Sequence, residues 1–362
     1  MDTFTSSPVA VTGASGYIAS WIVKLLLERG ATVHGTVRKV SDRAKVAHLE
    51  DLARAFPGKL RLFEADLLVP SSFDEAFRGC TAVVHAASPF MIQGVKDARS
   101  RIIRPALDGT RNVLASVNAA ESVRRVVLTS SIAAMCGDAA DKTGTPITEA
   151  DWNTTSTESH QPYSYSKTVA ERAAWDMANA QSRWSLAVMN PGFVIGPALS
   201  SRTEGTSTDL VLQMLDGRMR SGVPDFRFGM VDVRDVARAH VEAVAREGVG
   251  GRCILSAESS SFPELARLLR ERYPGLKTAP RGTIPGPLLY ILGPALGLTW
   301  RYLRRNVGID LSFDNKKSRE ELGMRYAPIR SAFLEQVEQL RALSGIEPGP
   351  ASGSEAKPVL RP

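Results

Sequence analysis

Cysteine is scarce in this 362-residue chain: Cys80, Cys136 and Cys253 are the whole complement, and they form neither a CxxC pair nor a Cys/His ligand spacing. That excludes a disulfide framework and a structural zinc site, and points to reduced thiols in a cytoplasmic protein. No export signal is expected either, since Asp2 stands where a signal peptide carries basic residues. A long uninterrupted apolar run is missing too. The most apolar segment, 284–303, is broken by Pro285, Pro287, Gly293, Pro294 and Gly297, which argues against a transmembrane helix. The net charge of +7 is spread among 38 acidic residues, so it describes a solvated surface and gives no nucleic-acid footprint.

What is present is alternation. Short β-branched runs at 9–12, 32–37, 60–63, 82–85, 126–129 and 186–189 are separated by helix-length segments, the pattern of right-handed βαβ crossovers and a doubly wound parallel sheet of Rossmann type. The stripe Ile18, Ile22, Leu25, Leu26 predicts a helix after the first strand. Beyond about residue 190 the alternation loosens. The expected division is a dinucleotide-binding domain over 1–190, with 229–250 returning to its sheet, and a smaller, mostly helical substrate subdomain from 191–228 and 251–344. Helices are predicted over 263–273 and 331–343. The Pro/Gly/Ser-rich tail, 345–362, is expected to be disordered.

Several positions carry chemistry. The first strand runs into Thr12-Gly13-Ala14-Ser15-Gly16-Tyr17-Ile18-Ala19, where Gly13 allows a tight turn, Gly16 lets backbone approach a pyrophosphate, and the helix N-terminus attracts anions. Arg38 ends the second strand where an NAD enzyme places an acid; it can pair with a 2′-phosphate, with Arg43 or Lys45 as a second cation. NADP(H) is therefore the expected cofactor. Asp66 and Leu67 follow the third strand, and Ala86, Ala87 and Ser88 the fourth, at the expected cofactor edge. Tyr163 and Lys167 share a helix face at i,i+4. An ammonium beside a phenol stabilises phenolate and suits the tyrosine to proton transfer. Thr129, Ser130 and Ser131 close a strand about thirty residues earlier, at the sheet edge where ligands sit.

On these motifs, with Asn190-Pro191-Gly192, Gly196-Pro197 and Val231-Asp232-Val233-Arg234-Asp235-Val236-Ala237, the chain resembles the extended short-chain dehydrogenase/reductases over roughly residues 8–343, in the dihydroflavonol reductase and cinnamoyl-CoA reductase-like group. The resemblance implies NADPH-dependent reduction of an aldehyde or ketone, with Ser131, Tyr163 and Lys167 as catalytic residues. It also implies that Pro191, Gly192 and Val194 border the nicotinamide. The segment after Ser131 is Ile132-Ala133-Ala134, without the asparagine that plant flavonoid reductases carry there, so dihydroflavonol itself is not expected. Hydroxysteroid oxidation, sugar-nucleotide epimerisation and cofactor binding without turnover remain alternatives on the same scaffold. Phe90, Phe193 and Phe228 are expected to meet a small carbonyl substrate, with Met91, Met214 and Phe226 nearby. The segment 284–305 is expected to be a pocket lid or an oligomer contact, with peripheral membrane attachment as the alternative. The expected assembly is a monomer or homodimer.

Overall fold

The structure, a computed structural model, describes residues 7–88, 97–203 and 205–346. Phe90 and Met91, and the tail from 347 onward, lie outside the described residues.

The first half alternates strictly: β1 (Val9–Thr12), α1 (Tyr17–Glu28), β2 (Val33–Val37), α2 (Arg43–Ala55), β3 (Leu60–Glu64), α3 (Asp74–Phe77), β4 (Ala82–His85), α4 (Arg104–Ala119), β5 (Arg125–Thr129) and α5 (Pro162–Asn179). Then β6 (Ser185–Pro191) runs almost directly into β7 (Phe193–Ile195), followed by α6 (Thr206–Leu215), β8 (Arg227–Asp232), α7 (Val233–Ala245), β9 (Gly251–Leu255) and β10 (Glu258–Ser261). Helices close the chain: α8 (Phe262–Arg272), α9 (Gly286–Leu292), α10 (Trp300–Asn306), α11 (Lys316–Glu321) and α12 (Ile329–Ser344).

Among the described residues, seven strands form one sheet in the order β3-β2-β1-β4-β5-β6-β9. Every neighbouring pair in it is parallel. Successive side chains on a strand point to opposite faces, and the core follows that rule. Val9, Val11, Val84 and Val127 pack on one face with Ile22, Leu26 and residues of α7 such as Val236. Ala10, Val83 and Val126 pack on the other with Val113, Leu114 and Val117 of α4. A strand buried on both faces has no polar side to show, which is why these runs read as continuously apolar.

One sequence expectation is corrected. The stretch near 229–236 does not return to the main sheet as a strand: β8 lies between β7 and β10 in a separate three-stranded sheet. Only α7 returns, packing against α1. The seventh strand of the main sheet is β9, in a stretch expected to belong to the substrate subdomain. Valine-rich runs of equal length do not announce which sheet will accept them; pairing partners decide that.

The switch between sheets is made at Gly192. A Cβ there would lie 2.1 Å from the carbonyl oxygen of Gly229, so only glycine lets β6 turn into β7 this close to β8. Local chemistry sets the helix starts. Asp232 accepts from the Arg234 amide at 2.7 Å to begin α7, and Ser261 with Glu264 forms a reciprocal capping box on α8. The second lobe has its own core, in which Met214, Leu265, Leu269, Phe333 and Val337 are fully buried. Met214 therefore belongs to the packing of that lobe and not to a pocket.

Candidate active site

The carboxyl ends of β1, β2, β4 and β5 open toward one edge. At β1, Gly13 takes the left-handed φ of 65° and the Gly16 amide closes the turn on the Gly13 carbonyl at 2.8 Å. A Cβ on Gly13 would approach Ala87 to 3.0 Å, and one on Gly16 would approach the Gly13 oxygen to 3.1 Å. The turn is thus bare backbone leading into the N-terminus of α1, a cradle that fits a dinucleotide pyrophosphate. Thr12 braces it from below: its hydroxyl accepts from the Ala87 amide at 3.0 Å and lies 2.9 Å from Nδ1 of His85. Ser15 and Ile18 flank the turn half-buried. The Tyr17 hydroxyl donates to the Gly196 carbonyl at 2.6 Å, so this phenol ties α1 to the loop after β7.

Arg38 stands exposed just past the end of β2, on the side where an adenosine ribose would lie. Lys45, expected as a second cation, is engaged by Asp42 at 2.7 Å. That bond, more than the neighbouring Arg202, holds the Asp42 carboxyl below its ordinary value. Arg202 comes from the distant loop after β7, a placement the sequence does not signal. Asp66 is exposed, and its Oδ1 accepts from the Leu68 amide at 2.8 Å within its own turn. Leu67 lines a cleft together with Ala87, Ser88, Thr129 and Lys167, and Ala86 lies beside it, half-buried.

Beyond β5 the two serines part. Ser130 is buried and its hydroxyl donates to the carboxylate of Glu171. Ser131 is half-buried, with its hydroxyl hydrogen-bonded to the phenol of Tyr163. Burial pushes the Tyr163 phenol up to about 12 against the pull of that bond. The Lys167 ammonium sits 5.8 Å from the centre of the Tyr163 ring and donates to Ser88 Oγ at 3.2 Å. Burial draws the Lys167 ammonium down to about 8, opposed by the Glu171 carboxylate one turn further along α5. The structure thus brings Ser88, Ser131, Tyr163 and Lys167 together. The Thr129 hydroxyl is turned away. Nδ1 of His240 faces the carbonyl of Val236 at 2.8 Å and must carry the ring proton, so Nε2 accepts the Thr129 hydroxyl at 2.7 Å. Burial draws this histidine down to about 4, so it is neutral near pH 7.

A cavity of about 110 Å³ is lined by Ile132, Ala133, Gln161, Ser164, Phe226 and Phe228, with Tyr302 and Phe313, and so adjoins the chain neighbours of Ser131 and Tyr163. Phe193 stacks on Phe228 with centroids 5.7 Å apart. Pro191 and Val194 border the same turn, and Ser131 Oγ lies 3.5 Å from the Pro191 carbonyl.

The segment 284–305, expected as a pocket lid or an oligomer contact, contributes Tyr302 to the cavity wall; the network that holds it there, centred on Asp138, has no signal in the sequence. Asp138, fully buried, accepts from His160 Nε2 at 2.9 Å, Gln161 Nε2 at 2.5 Å, Asn306 Nδ2 at 2.8 Å and Arg305 Nε at 2.7 Å. Burial pushes its carboxyl up, but the bonds from Asn306, His160 and Arg305 outweigh that and hold it below the ordinary value. Gln161 has the left-handed φ of 56° at the start of α5, a costly conformation for a non-glycine residue. Its side chain is held at both ends, donating to Gly137 and Asp138 and accepting from Ser164. The start of the helix that carries Tyr163 is thereby bolted, through Asp138, to α10, whose Asn306 lies 168 residues along the chain from Asp138.

The model of the NAD dependent epimerase/dehydratase family matches residues 9–254. A cinnamoyl-CoA reductase of Medicago truncatula is 38% identical over 336 residues, covering 92% of this chain and 95% of that protein. Tetraketide alpha-pyrone reductase 1 of Arabidopsis thaliana is 40% identical over 272 residues, covering 74% and 82%. Among solved structures, the yeast methylglyoxal/isovaleraldehyde reductase complexed with NADPH superposes with a TM-score of 0.78 at 29% identity, over 94% of this chain and 100% of that one.

Proposed function

This chain belongs to the NAD dependent epimerase/dehydratase family, in the group of cinnamoyl-CoA and anthocyanidin reductase-like members, and from that premise we propose that it reduces an apolar aldehyde or ketone to the alcohol with NADPH. The observation that carries the reading is the Ser131–Tyr163–Lys167 constellation beside the bare glycine turn. When bound, NADPH supplies the hydride for the carbonyl carbon.

The chain's own residues supply the rest. Ser131 hydrogen-bonds the substrate oxygen and Tyr163 gives it a proton. The phenol is in the right state for this, because burial keeps it protonated. Lys167 then stabilises the phenolate left behind, across a short path of low dielectric. Arg38 holds the 2′-phosphate that distinguishes NADPH. Thr12, Gly13, Ser15, Gly16, Tyr17 and Ile18 seat the pyrophosphate through backbone, and Pro191, Gly192 and Val194 wall the nicotinamide side.

The cavity's apolar wall, with Phe228 in it and Phe193 behind, favours an apolar substrate. Arg227, the one cation among the lining residues, is already held by Asp225 and Asp310, which leaves a sugar diphosphate without a partner there. Three unpaired cysteines support a cytoplasmic setting. We take the small sheet with α6 and the helices from α8 onward as the substrate lobe.

The test is NADPH consumption, against NADH, over a panel of aromatic aldehydes, ketoesters, flavanones and ketosteroids, with Tyr163→Phe alongside. Turnover with NADPH that the substitution abolishes is expected. Turnover that survives in Tyr163→Phe, or cofactor binding with no turnover of any carbonyl, would overturn the reading.

A further inference from the structure

The segment from α9 to α10 is folded inside out. On α9, Leu289 alone is buried, while Leu288, Ile291 and Leu292, at i, i+3 and i+4 spacing, are 45%, 75% and 43% exposed. On α10, Leu303 is buried and Trp300 is 67% exposed. The Trp300 indole donates to the Tyr290 carbonyl at 3.1 Å, so the two helices present one apolar patch. A surface helix of a soluble protein directs its apolar stripe to the core and its polar one to water; here a core stripe and a second apolar stripe coexist, and the second needs a partner.

The charge around the patch says which partner. Between Glu271 and Asp310 the chain has no acidic residue, while it carries six basic ones. Two of the six, Arg272 and Arg305, are bound to carboxylates elsewhere. Arg301 and Arg304 are exposed on α10, with Arg304 one turn from Trp300 and so on the same face. Apolar side chains with an interfacial tryptophan, on a stretch of chain that carries exposed cations and no acid of its own, match a bilayer surface carrying anionic headgroups. A second copy of the chain would bring the same cations into register with these, at a repulsive cost.

We propose that the α9–α10 face docks on anionic lipid surfaces, with Leu288, Ile291, Leu292 and Trp300 entering the headgroup boundary and Arg301 and Arg304 meeting the phosphates. No helix among the described residues is long and apolar enough to cross a membrane, so the contact is peripheral. α10 also lines the cavity through Tyr302 and Asn306, which sets the docked face beside the pocket wall.

The experiment is flotation of the full-length protein with vesicles of phosphatidylcholine alone or mixed with phosphatidylglycerol, at low and high salt, with sedimentation velocity of the free protein. Expected are binding to the mixed vesicles that weakens with salt, at least a tenfold loss of partitioning in Ile291→Glu, and a loss confined to the anionic component in the double variant Arg301→Glu, Arg304→Glu. All variants should keep NADPH-dependent turnover of a water-soluble carbonyl, which shows that they are folded. No flotation of the wild type would overturn the proposal. So would a stable dimer that Ile291→Glu dissociates, since the patch would then be an interface between two copies.

Discussion

Arg252 donates from Nε to Oε1 of Glu171 across 2.6 Å, with the two side chains only 6% and 0% exposed. The same carboxylate takes the Ser130 hydroxyl and the Asn190 amide, the latter at 2.9 Å. It lies one turn beyond Lys167 on α5, so a structural ion pair and the candidate catalytic lysine share a buried neighbourhood. Removing the arginine leaves an uncompensated buried carboxylate. Arg252→Met is expected to lose about 3–5 kcal/mol of stability, read from urea unfolding, and a loss below about 1 kcal/mol would show that the pair is not sealed as described.

The adjacent serines should separate in their effects. Ser130→Ala removes a buried donor to Glu171 and is expected to cost about 1–3 kcal/mol in stability with little change in kcat. Ser131→Ala removes a donor to the reacting oxygen and is expected to lower kcat by roughly 10²–10³-fold with little change in Tm. Steady-state kinetics and thermal melts on both variants decide it, and the reverse pattern would move the catalytic role to Ser130.

The pH profile follows from the protonation states. Reduction needs Tyr163 as phenol and Lys167 as ammonium. With Tyr163 pushed up to about 12 and Lys167 drawn down to about 8, both are protonated on the acid side, and the ammonium is lost first as pH rises. The value of kcat/KM for reduction is therefore expected to be level between about pH 6 and 7.5 and to fall above about 8. Glu171→Gln deletes the carboxylate that opposes the depression, so the falling limb should move to lower pH. A limb that stays put would mean Glu171 serves packing alone.

Cofactor choice should rest on Arg38. Since Lys45 is engaged by Asp42, Arg38→Ala is expected to weaken NADPH binding by roughly 10–100-fold, the worth of one charge-assisted pair, while leaving NADH nearly unchanged. Titration of both cofactors against both proteins checks this. Equal losses for the two would assign Arg38 to adenine stacking and not to the phosphate.

Much of this was legible along the chain because it depends on neighbours in sequence. Strand-glycine-helix at 9–28, the i,i+4 spacing of Tyr163 and Lys167, and the strand endings at Val37, His85 and Thr129 are local patterns, and a parallel sheet lines up its strand ends along one edge. Glu171 could have been found by extending the Tyr163–Lys167 face by one more turn. Asp138, Asn306 and Arg305 had no such signal, because their meeting depends on how the second lobe folds back.

The doubly wound sheet, the glycine cradle and the face of α5 that carries Tyr163 and Lys167 are thus written along the chain, since hydrophobic period and turn chemistry act within a few residues. Tertiary structure alone decided which sheet accepts β8 and which β9, that Ser130 spends its hydroxyl on Glu171 and Thr129 on His240, and that an apolar face of α9 is left outward. Each of those is a choice of hydrogen-bonding or packing partner between segments far apart in the chain, and such a choice is made only when the buried donors and acceptors of the whole fold are satisfied together.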